Sequence, residues 1–147
     1  SGTQMDFLKE TILNSADARN IFVFFHQLLW WDRNNKYQYV RMNSREGRAD
    51  TINFWDEVIP VFTEILKPVT MFAGDMGAGY WSDNFMYNYN ITLNMKFIGS
   101  GMGDEDGDNF IIVNVFDNGE LEFELIAING EDIDALGELE DYELPVE

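Results

Sequence analysis

Cysteine is absent, histidine occurs once, and no Lys or Arg follows Lys96. Without Cys there is no disulfide framework, thiolate metal site or cysteine nucleophile, although the compartment stays open because many extracytoplasmic proteins also lack Cys. No apolar run approaches the roughly 18 residues of a membrane span. The chain opens on Ser1-Gly2, expected to be a tag-cleavage scar, and not on Met with a signal-like segment. With only 9 basic residues there is no Lys/Arg stripe interleaved with aromatics, so neither nucleic acid nor an anionic membrane is an expected partner.

What is present describes one globular domain: 147 residues, 46% hydrophobic and 15% aromatic, enough to bury a sizeable core. The formal charge of −18 is uneven. Residues 1–96 hold all 9 basic and 11 acidic residues, whereas residues 97–147 hold 16 acidic and none basic.

Thr3-Gln4-Met5-Asp6 reads as a capping box, and Met5, Leu8 and Ile12 recur at helical spacing to about Asn14. Ile21 to Phe25 is a short continuous apolar run, which suits a strand covered on both faces, as in a parallel sheet. Asp32 to Asp50 is polar and without period, hence a long loop. A second helix is predicted from about Thr51 to Leu66, with a kink or restart at Pro60. Val69 to Ala73 gives another strand, running into the Gly-rich turn Gly74 to Gly79. Strand, crossover helix and strand imply a parallel pair. A strand over Asn90 to Ser100 follows, then a hairpin in which Phe110 to Phe116 and Leu121 to Ile128 flank Asp117-Asn118-Gly119. Glu131 to Glu147, with 8 acids in 17 residues, reads as an acidic tail, either solvated or a loosely docked arm.

His26 follows the first apolar strand and Asp75 the second. In open α/β sheets ligands collect at the carboxyl ends of strands, so an imidazole and a carboxylate there could bind a divalent metal or act as base and orienter. The blander alternative is that His26 is a satisfied, partly buried residue and Asp75 caps its turn. Gly103 to Asp108 spaces its acids like a calcium loop. However, Asn109 and Val115 stand where an EF-hand needs Gly and Glu, so a solvated turn with at most weak calcium affinity is expected. Trp30, Trp31, Tyr80, Trp81, Phe85, Tyr87 and Tyr89 could wall a stacking site or fill the core, with Trp31 and Trp81 the expected exposed members.

Asn20-Ile21-Phe22-Val23-Phe24-Phe25-His26 with Leu28-Leu29-Trp30, then Phe72-Ala73-Gly74-Asp75-Met76-Gly77, then Asn90 to Ser100 with Gly101-Met102-Gly103, resemble the second half of the calcineurin-like metallophosphoesterases. The resemblance spans roughly Met5 to Asn129. It implies an α/β fold class: residues 3–130 as the C-terminal part of a four-layered β-sandwich flanked by helices, ending in antiparallel strands. It further implies divalent metals (a dinuclear Mn, Fe or Zn centre) with His26 as a ligand, and hydrolysis of a small phosphoester substrate by the whole protein. The chain departs from the family's G-H-x-H motif: Asp75 stands at the first His, as a substitute ligand, and Gly77 at the second. One histidine cannot supply the family's first-half motifs. The implied partner is therefore the missing N-terminal half of the domain, this chain alone is expected to be inactive, and its uncovered edge predicts dimerisation or swapping. The rival reading is a non-catalytic binding module whose aromatic loops, through Trp31 and Trp81, hold a glycan or protein ligand; a third is a structural domain with no site.

Overall fold

A computed structural model describes residues 2–30, 54–76, 85–101 and 107–144, without the side chain of Asp75. The fold is mixed α/β: a four-stranded mixed sheet, a two-stranded antiparallel sheet and two helices. The chain runs through helix α1 (Gly2–Asn14), strand β1 (Ile21–Phe25), a π-helical turn (Phe54–Val58), helix α2 (Ile59–Thr63), β2 (Val69–Met76), β3 (Phe85–Asn90), β4 (Met95–Gly101), β5 (Asn109–Val115), β6 (Leu121–Ala127) and a 3-10 turn (Leu139–Tyr142). The larger sheet has the order β1-β2-β4-β3. Its first two pairings are parallel and the third antiparallel, and β5 and β6 form the separate hairpin. Among the described residues no helix is long and apolar enough to cross a membrane.

Alternation divides the larger sheet into two faces. Val69 and Met71 of β2, Met95 and Phe97 of β4, and Met86 of β3 join Trp30, Phe54 and Phe62 in one core under the helices. The opposite face carries Phe72, Ile98, Tyr87 and Tyr89, which pack against Ile111, Phe123 and Leu125 of the hairpin. Two helices thus cover one side and the hairpin the other.

Local chemistry sets the element ends. Pro60 occupies the first turn of α2, where its missing N–H sacrifices no intrahelical bond, so the predicted restart at Pro60 is the junction of the π-helical turn and α2. Leu66 leaves the helix in the left-handed region at φ 49°. The Lys67 ammonium then donates to the carbonyls of Ser15 (3.2 Å), Ala16 and Ala18, satisfying acceptors just past α1. Gly119, at φ 89°, closes the β5–β6 hairpin, and its carbonyl accepts from the Asn20 amide at 2.9 Å.

Four expectations need correction. β1 is not covered on both faces: Phe24 remains 73% exposed, stacked at 5.0 Å on Phe72, and among the described strands β1 lies at the edge of the sheet. Gly74 and Asp75 do not begin a turn, because β2 continues to Met76 through a bulge in which these two residues oppose Ser100. Past the bulge, β2 and β4 come so close that a Cβ on Gly101 would collide with the Met76 carbonyl. The single strand predicted over Asn90 to Ser100 is instead the end of β3, a turn over residues 91–94 with Asn94 at φ 52°, and β4. Finally, β3 occupies Phe85–Asn90, where an aromatic loop was expected.

Residues 131–144 return to the sheet. Leu139 is buried, Tyr142 packs edge-on against Phe85 at 5.0 Å, and the Leu144 N–H donates to the Tyr87 carbonyl at 2.8 Å. The acidic segment is therefore an arm laid along the edge strand β3 as far as Leu144.

Candidate functional site

The two residues singled out at strand ends are neighbours in the backbone. Phe25 pairs with Ala73 in the parallel β1–β2 ladder, and the next rung joins the Gly74 N–H to the His26 carbonyl at 2.9 Å. His26 is exposed, and its ring lies over Gly74: a Cβ there would meet the imidazole Nδ1 at 3.8 Å. Asp75 follows within the bulge, a device that re-aims side chains near sites. Among the described residues no group of three His, Cys, Asp or Glu could hold a metal ion. Trp31 and Trp81 lie outside the described residues, as do Tyr80 and most of the Gly103 to Asp108 segment.

The described aromatics belong largely to the core. Trp30 is fully buried, with its indole N–H donating to Met86 Sδ at 3.3 Å and its ring 5.3 Å from Phe97. Phe85 and Tyr87 are buried under the hairpin and arm.

No protein-family model, curated protein or solved structure matches the chain.

The chemistry that sequence reasoning missed lies at the other end of the sheet, on the hairpin face. Thr70 pairs with Lys96 between β2 and β4, and Lys96 with Tyr89 between β4 and β3, so all three share that face. The Lys96 ammonium sits among three rings, 5.1 Å from Phe123, 5.4 Å from Tyr89 and 5.7 Å from Tyr87, and donates to the Tyr87 hydroxyl at 3.4 Å. Burial, with the carboxylates of Glu140 and Glu143 and neighbouring Tyr89 adding to it, pushes the Tyr87 phenol up to about 12. The Tyr142 phenol is raised for similar reasons, burial first and then Asp141.

Two cavities meet at Lys96. One, of about 210 Å³, lies under the hairpin turn and is lined by Asn20, Thr70, Tyr89, Asn94 and Lys96, among others. The other, of about 450 Å³, opens between hairpin and arm and is lined by Glu120, Glu122, Glu138 and Glu140 with Phe116 and Phe123. The signal that could have found them was Lys96 itself, the last cation in the chain, set in an alternating run.

The hairpin's outer face is a third feature. Phe110 and Ile112 are 49% and 39% exposed, and cross-strand pairing sets Ile126 opposite Phe110 and Glu124 opposite Ile112. Glu122 lies across from Asn114, which donates to Glu124.

Proposed function

We propose that this domain is a non-catalytic binding module that docks a basic protein surface on the outer face of the β5–β6 hairpin. The observation that carries this reading is an apolar strip, Phe110, Ile112 and Ile126, flanked by the carboxylates of Glu122 and Glu124. It belongs to a stretch of the chain with 16 acidic and no basic residues. Apolar side chains supply the area that binding desolvates, while the carboxylates select partners with Lys or Arg around an apolar centre and speed their encounter. A second copy of this chain fits poorly, since like charges would face each other across the contact.

Photocrosslinking from position 112 in an extract of the source cells, followed by titration of the purified partner, tests this. The expected partner is basic, its affinity falls with salt, and both Ile112→Asp and the double change Glu122→Lys with Glu124→Lys weaken it at least about tenfold, or 1.4 kcal/mol. A self-crosslink, an acidic partner, or affinity indifferent to these variants would overturn the reading.

A second reading is favoured by the ladder that sets His26 beside Gly74 and Asp75. In it the chain is the C-terminal part of a metallophosphoesterase-like four-layered sandwich, and the absent half of that domain supplies most of the metal ligands. His26 and Asp75 alone do not complete a dinuclear centre. Calorimetric titration with Mn²⁺ and Zn²⁺ discriminates: weak binding abolished by His26→Ala supports it, and no binding, or binding unchanged by that substitution, removes it.

A further inference from the structure

Thr70 is 2% exposed, and among the described residues its hydroxyl has no hydrogen-bond partner. Since Val69 and Met71 on either side point into the core under the helices, Thr70 faces the opposite way, toward the 210 Å³ cavity it lines. A buried hydroxyl without a partner costs about 1–3 kcal/mol, which makes it an unusual wall for a cavity that nothing enters.

The other polar side chains of this cavity include donors with capacity to spare. Lys96 gives one of its three N–H bonds to Tyr87. The Asn94 carbonyl oxygen accepts from the Tyr89 hydroxyl at 3.0 Å, leaving its NH₂ group, and Asn20 spends one N–H on Gly119. Spare donors grouped around an ammonium suit an anionic acceptor, and a carboxylate can take two of them at once. A simple anion, however, would have to approach a chain of net charge −18 and lie close to four glutamates lining the adjoining cleft. A ligand that also carries a positive charge removes that conflict, because Lys96 and Leu121 line both cavities and the second is built of carboxylates and aromatic rings.

We propose that the two cavities form one site for a small zwitterion of the amino-acid class, its carboxylate on Lys96, Thr70 and Asn94 and its ammonium group facing Glu120, Glu138 and Glu140. This proposal does not rest on the docking role of the outer strip: the two share only Glu122, which flanks the strip and also lines the cleft, and no ligand contact is assigned to it.

Calorimetric titration of the full chain with each of the free proteinogenic L-amino acids tests the site, with the deaminated acid and the decarboxylated amine of any binder as controls. At least one amino acid is expected to bind, with each control about tenfold weaker or worse, equivalent to 1.4 kcal/mol for each lost charge contact. Thr70→Val, which keeps the side-chain shape, and Lys96→Met are expected to weaken binding at least about tenfold. Circular dichroism of both variants establishes that they are folded, and Thr70→Val carries the test if Lys96→Met is not. No binding by any amino acid, equal binding by the deaminated acid, or affinity unchanged in Thr70→Val would overturn the proposal.

Discussion

The two faces of the four-stranded sheet solve the same covering problem with different materials. Under the helices the contact is aromatic: Phe97 lies 5.3 Å from Trp30, 5.8 Å from Trp55 and 6.4 Å from Phe54, ring centre to ring centre. Under the hairpin, apolar packing through Ile98, Leu125 and Leu139 shares the face with a lysine, a buried threonine and two cavities. Among the described residues the first face is a closely packed core. The second leaves open space around Lys96, and underpacked or strained regions are where domains tend to place binding sites.

The sharpest way to break this comparison is at equivalent depth on each face. Phe97→Ala should cost about 3–5 kcal/mol in chemical denaturation, because the ring cannot be replaced by movement of its equally crowded neighbours. Leu125→Ala should fall at the lower end of its class, about 2 kcal/mol, since a two-stranded hairpin can settle onto the space. If Leu125→Ala proved the costlier, the two faces would not differ in the way described. Thr70→Val should act in the opposite direction, raising stability by about 1 kcal/mol by removing an unsatisfied hydroxyl; a clear loss of stability would mean that the hydroxyl has a partner. The smallest effect is in alkali. The folded chain keeps the Tyr87 proton up to about 12, whereas an unfolded phenol releases it near 10. This contribution is thus complete below pH 10 and is lost as pH rises from 10 toward 12. Tyr87→Phe should flatten that part of a stability–pH curve measured by urea denaturation.

Much of the fold was legible where a local signal was unambiguous. The helical spacing of Met5, Leu8 and Ile12, the apolar run Ile21 to Phe25, and the Asp117-Asn118-Gly119 turn each appear as α1, β1 and the β5–β6 hairpin. β3 escaped because Phe85, Met86, Tyr87 and Asn88 are all buried, so no alternation of apolar and polar residues marks it. Ile91 and Leu93 continued the rhythm of Met95 and Phe97, which concealed the turn made by the left-handed Asn94. At the strand ends, the nearness of His26 to Gly74 and Asp75 followed from reading a parallel pair. The Thr70–Lys96 pairing depended instead on the β2–β4 register, and that in turn on β3 lying at the sheet edge, where chain order does not place it.

The arm that lies along β3 sets a timetable for synthesis. Tyr87 leaves the ribosome well before Leu144, whose N–H covers its carbonyl, so the nascent sheet carries an open row of backbone donors and acceptors while the hairpin is still being made. Translation pauses between Asn90 and Leu139 would lengthen that interval.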